Sequence, residues 1–176
     1  MKIELYKKFF NEYFYSNEFN KNYESALKLI EKSSRIFFIG NGGSNAICSH
    51  MAEDFMKIGG KPTFSFSDAA LITCFSNDYG YENAMKEWIK FHFKEGDLLI
   101  AISSSGESKN ITNCVEFVKG KNGKTLTLSG FKQKNKLSTL GDINFHLNNT
   151  SYGVVECFHE IILHSILDEY SSKLNI

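Results

Sequence analysis

The sequence predicts an α/β fold in which helices cover both faces of a doubly wound parallel sheet, giving three layers. Two continuous apolar runs, at 35–39 and 97–102, have the composition of parallel strands that are buried on both faces. Each run ends in a loop of glycines or serines, and helical spacing of apolar residues follows each loop. Strands and helices alternate at the distance of βαβ units, which is the pattern of such a sheet.

Helices are predicted where apolar side chains recur every three or four residues. In chain order these segments are 3–30, 44–58, 68–75, 81–93, 108–119 and 153–170. The segment at 44–58 is closed by Gly59 and Gly60, which suit a helix C-terminus. The first and last helical segments have no strand of their own to cover. Because they are rich in Phe and Tyr, we expect other subunits to bury them.

Strands are predicted where short apolar runs are bounded by turn residues. In chain order they are 35–39, 63–66, 97–102, 124–128 and 143–147. The run at 63–66 is weaker because half of it is polar, and the run at 143–147 is expected at an edge of the sheet. The chain is predicted to be one domain over 1–176, with N-terminal helices over about 1–33, a sheet core over about 34–148 and a C-terminal helix over about 153–172.

The composition excludes several classes of protein. Twenty Lys and Arg balance twenty Asp and Glu, so the chain lacks the basic surface with which proteins bind nucleic acids. No stretch approaches the roughly 20 apolar residues of a membrane helix, and the first residues lack the apolar core of a signal peptide. The four cysteines form no CxxC pair, which favours reduced thiols. We therefore expect a cytoplasmic protein that binds neither nucleic acid nor membrane.

Two loops that follow the buried strands have the residues of an anion site. The first is Gly40-Asn41-Gly42-Gly43-Ser44 and the second is Ser103-Ser104-Ser105-Gly106-Glu107-Ser108. Serine hydroxyls and helix N-terminal amides can hold a phosphomonoester without arginine, of which the chain has only Arg35. The alternative is a serine-rich turn in which Ser108 only caps a helix. Asn45 stands where a dinucleotide fingerprint requires glycine, and no GK[ST] follows, so no nucleotide cofactor is expected.

Histidines and carboxylates recur at helical spacing on two of the predicted helices. They are His50, Glu53 and Asp54 on the first sheet helix, and Glu156, His159, Glu160 and His164 on the terminal helix. Such a set can hold a divalent metal or act as an acid and base pair, whereas the alternative is two solvated helix faces. In the segment 77–81, Asp78 is either a helix cap or a ligand of sugar hydroxyls.

Taken together, these motifs resemble those of the sugar isomerase (SIS) domain family and, within it, the phosphoheptose isomerases. The resemblance covers roughly residues 30–170 and rests on GNGGS, the helix with His50, NDYGY, SSSGES and the terminal helix with His164, in that order. It implies a flavodoxin-like or Rossmann-like SIS fold. It also implies a homotetramer with sites between subunits, a phosphorylated sugar as substrate and, often, a zinc ion.

The resemblance assigns roles by position. Substrate-binding residues would be Asn41, Gly42, Gly43, Ser44, Asp78, Ser103, Ser104, Ser105, Ser108 and Glu156, with the serines on the phosphate. Catalytic residues would be Asp54 and His164, and metal ligands would be His50, Asp54, Glu156 and His164. The family has glutamate at the position of Asp54 and glutamine at the position of Glu156. Glu156 and His164 stand two helical turns apart, ~12 Å, so a shared ion requires leaning side chains, an irregular helix or another subunit.

The implied activity is that of an aldose-ketose isomerase, an intramolecular oxidoreductase. It would convert sedoheptulose 7-phosphate to D-glycero-D-manno-heptose 7-phosphate through an enediol, for the heptose units of lipopolysaccharide or capsule. Such chemistry needs a base near the carbon and an acid near the oxygens, and we assign Asp54 and His164 to these roles. Glu156 or Glu53 could be the base instead. The alternatives are a non-catalytic SIS protein that binds a phosphosugar or a protein partner, and an isomerase of another sugar phosphate.

Overall fold

The computed structural model describes residues 2–174 and has the predicted α/β architecture. Its helices are α1 (Lys2–Phe14), α2 (Asn17–Lys32), α3 (Gly43–Lys57), α4 (Ala69–Tyr79), α5 (Tyr81–His92), α6 (Lys109–Gly120), α7 (Lys136–Leu140) and α8 (Tyr152–Leu174). Its strands are β1 (Ile36–Ile39), β2 (Thr63–Ser65), β3 (Leu98–Ser103), β4 (Lys124–Gly130) and β5 (Ile143–Leu147). Among the described residues, no helix is both long and apolar enough to cross a membrane.

The five strands form one parallel sheet in the order β2-β1-β3-β4-β5. This is the flavodoxin-like order, in which the chain winds in opposite directions from β1 and from β3. β5 lies at an edge, as its sequence predicts. In such a sheet the crevice for ligands opens beyond the carboxyl ends of the strands at the switch point. Here the switch point lies between β1 and β3, so the loops after these two strands flank it.

Two apolar layers enclose the sheet because side chains of a strand alternate between its faces. In β1, Phe38 packs with α2, α3 and α8, whereas Phe37 packs with α5 and α6 on the opposite face. β3 divides in the same way, and all six of its residues are buried. The continuous apolar runs in the sequence therefore mark the two central strands, as predicted.

The structure departs from the sequence prediction most clearly in three places. The first helical segment is broken at Tyr15, and Ser16 caps α2 by accepting a hydrogen bond from the Phe19 amide at 3.1 Å. Asp78 lies in the last turn of α4 and is not an N-cap, because Gly80 ends that helix at a φ of 74°. Helix α7 has only five residues, and no periodic pattern predicts so short a helix.

Candidate active site

The loops after β1 and β3 meet at the switch point and enclose a cavity of about 230 Å³. The N-terminal end of α8 closes its third side. The lining residues are Asn41, Gly42, Gly43, Ser44, Ile102, Ser103, Ser104, Ser105, Ser108, Tyr152 and Glu156. None of these lining residues is cationic, so an anion would be held here by hydroxyls and amides.

The serine loop is folded by its own hydroxyls. The Ser103 hydroxyl lies 3.2 Å from the Ser108 hydroxyl and accepts a hydrogen bond from the Gly106 amide, also at 3.2 Å. Ser108 precedes α6 but makes no side-chain hydrogen bond to the amides of that helix. The Ser104 hydroxyl is buried and has no hydrogen-bond partner among the described residues. A buried polar group is costly without a partner, so a ligand oxygen in the cavity would satisfy it.

The glycine loop brings the backbone close to the same cavity. Gly42 has a φ of 54°, which favours glycine, and α3 begins directly after it. A side chain on Gly43 would meet the Glu156 carboxylate, since its Cβ would lie 2.5 Å from Oε1. Asn41 exchanges two amide hydrogen bonds with Asn110 and accepts a third from the Tyr81 hydroxyl at 2.7 Å. The loop is therefore anchored to α5 and α6 while its glycines face the cavity.

A second group of polar side chains lies between α3 and α8. The Asp54 Oδ2 atom is 3.6 Å from His50 Nε2 and 3.9 Å from His164 Nδ1, and the two imidazole rings are 5.2 Å apart. Glu160 joins this group from α8. The structure thus brings together the predicted residues His50, Asp54 and His164.

Three of these side chains could hold a metal ion. His50, Glu160 and His164 each offer one ligand atom, and these atoms all lie within 4.8 Å of one another. Two imidazoles and a carboxylate form a known ligand set of catalytic zinc, with a further position open. Glu160 was not assigned to the metal from the sequence, although its spacing of four residues from His164 was a usable signal. Glu156, which was assigned, lies one turn earlier against Gly43.

Other candidates lie away from both groups. Asp78 is exposed and accepts a hydrogen bond from the Asn77 side chain at 2.9 Å, so its role in sugar binding stays a prediction. Glu53 is exposed beside an apolar groove that Met56 also lines. His159 is fully buried, with Nε2 3.2 Å from the Ser129 carbonyl oxygen, and burial lowers the pKa of His159 to about 4. His159 is therefore a neutral core residue.

Comparisons with known proteins identify relatives of this chain. Residues 29–151 match the family described as SIS domain. The chain is 33% identical over 171 residues to the phosphoheptose isomerase of Fusobacterium nucleatum, covering 94% of this chain and 88% of that protein. It is 32% identical over 165 residues to that of Histophilus somni, covering 88% and 84%. A solved phosphoheptose isomerase from Francisella tularensis has the same fold, with a TM-score of 0.87 and 23% identity over 97% of this chain and 95% of that one.

Proposed function

Because the chain belongs to the SIS domain family and, within it, to the phosphoheptose isomerases, we propose that it interconverts sedoheptulose 7-phosphate and D-glycero-D-manno-heptose 7-phosphate. One observation carries the proposal for this chain. A cavity of serine hydroxyls and helix N-termini, suited to a phosphate, lies at the N-terminal ends of α3 and α8, and the same two helices place a carboxylate between two imidazoles further along. Glu156 lines the cavity, and Glu160 joins the imidazoles one helical turn away, ~6 Å along α8.

The serine loop would bind the phosphate. The Ser104 hydroxyl has no hydrogen-bond partner among the described residues, and the Ser108 hydroxyl makes no capping hydrogen bond to α6. Both hydroxyls can therefore bind phosphate oxygens. Ser103 and Ser105 line the same wall, and the N-terminus of α6 favours negative charge there. The sugar would extend past Asn41, Gly43 and Ser44 toward the imidazoles. In this arrangement the serine loop binds the phosphate end of the substrate, and the carbons that react lie at the other end.

Asp54 and His164 would move the protons. Asp54 takes a proton from C1 of the ketose and returns it to C2, which makes the aldose through an enediol. His164 donates a proton to O2 and accepts one from O1. Because Asp54 Oδ2 is 3.9 Å from His164 Nδ1, both groups can reach adjacent atoms of one substrate. A divalent ion held by His50, Glu160 and His164 would polarise the substrate oxygens when it is bound.

We assign the active form to a cytoplasmic homotetramer with sites between subunits, and its product to heptose units of lipopolysaccharide or capsule. Exposed apolar side chains support assembly. Three such side chains are each more than half exposed in a single chain: Met56 on α3, and Tyr81 and Phe91 on α5. A surface with several such side chains favours contact with another copy.

Isomerisation and solvent proton exchange test the proposal. With sedoheptulose 7-phosphate in D₂O, NMR should show aldose product and deuterium at carbon in the presence of the unmodified protein. Asp54→Asn and His164→Ala should each reduce kcat about 10²- to 10⁴-fold, the usual contribution of general acid-base catalysis. Thermal unfolding of both variants should match the parent.

Three results would overturn parts of this assignment. Absence of exchange by the unmodified protein would indicate a binding or adaptor protein. Exchange confined to another sugar phosphate would change the substrate. Near-normal turnover in both variants would refute the roles of Asp54 and His164.

A further inference from the structure

A buried asparagine behind the serine cavity is paired with a side chain of the residue that lines it. Asn110 lies in the first turn of α6, two residues after Ser108, and is only 3% exposed. It does not line the cavity, whereas Asn41 does. Asn41 Nδ2 donates to Asn110 Oδ1 at 3.0 Å, and Asn110 Nδ2 donates back to Asn41 Oδ1 at 2.8 Å. A contribution of Asn110 to ligand binding therefore passes through Asn41.

A buried sulfur determines the orientation of this amide pair. Asn110 Nδ2 also donates to Met85 Sδ at 3.7 Å, and Met85 is 4% exposed. A thioether sulfur accepts hydrogen bonds and cannot donate them. If the Asn110 amide were reversed, its oxygen would face the sulfur and both groups would be acceptors. Because the orientation of Asn110 is fixed in this way, Asn41 must direct its own Nδ2 toward Asn110 Oδ1.

The Asn41 side chain is left with one free hydrogen-bonding group, an N–H. An amide oxygen accepts two hydrogen bonds. Asn41 Oδ1 accepts one from Asn110 and the other from the Tyr81 hydroxyl at 2.7 Å, so its acceptor capacity is used. One Nδ2 hydrogen is donated to Asn110, and the other has no partner in the part of the chain that the structure describes. Asn41 can therefore bind a ligand oxygen that accepts a hydrogen bond, but it cannot accept one from a ligand.

We propose that Asn110 and Tyr81 are positioning residues of the sugar phosphate site, which act by presenting the Asn41 N–H group to an acceptor oxygen of the substrate. A phosphate oxygen or the lone pair of a sugar hydroxyl meets this requirement. A fully paired amide network in a buried setting holds one geometry, so the glycine loop stays fixed to the helix that follows the serine loop. The inference rests on the proposed function for the identity of the ligand.

Binding of a heptitol 7-phosphate tests the inference, because this reduced form of the sugar has no carbonyl group and cannot isomerise. Isothermal titration calorimetry measures its Kd. Asn110→Leu replaces the amide with an apolar group of similar size and should raise the Kd about 3- to 10-fold, the effect of one hydrogen bond. Tyr81→Phe keeps the ring and removes only the hydroxyl. It should raise the Kd about 2- to 5-fold, because the Asn41 oxygen then keeps one of its two hydrogen bonds.

A double-mutant cycle shows whether these residues act through Asn41. In an Asn41→Ala background, Asn110→Leu and Tyr81→Phe should each change the Kd by less than about twofold. A merely structural role in packing α5 against α6 would persist in that background. Asn113→Leu is the matched control, because it removes a different asparagine of α6, which donates to the Glu82 carbonyl oxygen at 3.1 Å and does not contact Asn41. The control should leave the Kd unchanged.

Steady-state kinetics separate binding from chemistry. Asn41 precedes α3, whereas Asp54 lies about three turns along that helix. Because Asn41 is far from the proposed base, Asn110→Leu and Tyr81→Phe should raise KM for sedoheptulose 7-phosphate and leave kcat within about twofold. Thermal unfolding shows whether Asn110→Leu is folded, and if it is not, the cycle with Tyr81→Phe alone decides.

Unchanged Kd in the folded variants, or effects that persist in the Asn41→Ala background, would overturn the inference. A protein that binds the heptitol phosphate with the expected dependence on Asn110 and Tyr81 but does not isomerise sedoheptulose 7-phosphate would refute only the proposed function. An active isomerase whose Kd is insensitive to both substitutions would refute only the inference. Absence of binding by the unmodified protein would refute both.

Discussion

At the scale of single residues, Arg35 shows why the candidate phosphate site depends on neutral donors. Its guanidinium binds both oxygens of Asp97, at 2.9 and 2.6 Å, and also donates to the His92 carbonyl oxygen. The Asp97 side chain is only 1% exposed and accepts a further hydrogen bond from the Lys94 amide. This pair lies just before β1 and β3, at the end of the sheet opposite the cavity. The chain's one arginine therefore forms a structural ion pair and does not reach the cavity.

A second residue, His159, predicts a pH dependence of stability. Burial lowers the pKa of His159 from 6.5 to about 4, so the unfolded chain binds a proton below pH 6.5 that the folded chain does not. Stability contributed by neutral His159 is complete above pH 6.5 and is lost as the pH falls toward 4. At pH 5 the expected loss is about 2 kcal/mol, at about 1.4 kcal/mol per pH unit. Burial lowers the pKa of nearby His146 as well, which acts in the same direction.

Urea unfolding at pH 7.5 and pH 5 measures this dependence. His159→Gln has no titrating ring, so its stability should fall less between the two pH values than that of the unmodified protein. Carboxylates titrate in both proteins, so the difference between the two proteins in how far the free energy of unfolding falls from pH 7.5 to pH 5 isolates the contribution of His159. An equal fall in both proteins would show that His159 does not stay neutral in the folded protein.

At the scale of elements, α7 supports the serine loop from outside the cavity. The Leu137 amide donates to the Gly106 carbonyl oxygen at 2.9 Å, and the Lys136 amide donates to the Glu107 carboxylate at 3.0 Å. Asn135, which caps α7, donates to the Gly130 carbonyl oxygen and packs against Gly106. The serine loop is thus fixed to the end of β4 by a single short helix.

Gly106→Ala should disturb this support. Gly106 has a φ of 68°, and a Cβ there would lie 1.9 Å from the Asn135 side-chain oxygen. We expect a loss of stability of about 1–3 kcal/mol, the cost of a strained backbone position, and a higher KM for the sugar phosphate. Gly120→Ala is the matched control because Gly120 is the last residue of α6 and a Cβ there would meet no neighbouring side chain or backbone within 4 Å. Urea unfolding and steady-state kinetics measure both variants, and equal stability of the two would contradict the role of Gly106.

The sequence predicts the central elements of this fold better than its short ones. β1 and β3 are recognisable because both faces of each strand are buried, which requires a continuous apolar run. Helix α7 has too few residues for a periodic pattern and is defined by contacts with Gly106 and Glu107, which are distant in sequence. The sequence offers Asp78 as a cap of the following helix, but a turn at Gly80 places it in the last turn of α4 instead.

The candidate site was predictable to a similar extent. Two polar loops after two buried strands indicated the cavity, because carboxyl ends of parallel strands meet at one edge of a sheet. The position of Glu160 beside the two imidazoles was not predictable from spacing alone. This position depends on where α8 lies along its own axis relative to α3 and the glycine loop, which is set by tertiary packing.

At the scale of the whole molecule, an apolar groove of about 480 Å³ lies open beside β2. Phe64, Met56 and Leu71 line it and are all exposed. Phe64 is 44% exposed, although its ring stacks on buried Phe37 at 5.2 Å. A second copy of the chain that covers this groove would remove these side chains from water, at roughly 1.5–3 kcal/mol for each large side chain fully buried.

Phe64→Lys should therefore weaken assembly. Light scattering should give a mass of four chains for the unmodified protein and a smaller mass for the variant, because a charged ammonium is costly to remove from water at an apolar contact. Phe64→Leu keeps the surface apolar and should retain the larger mass. If the sites lie between subunits, the smaller Phe64→Lys species should also lose isomerase activity while its far-UV circular dichroism stays unchanged. A monomeric parent, or a Phe64→Lys variant of unchanged mass, would show that this groove does not hold the subunits together.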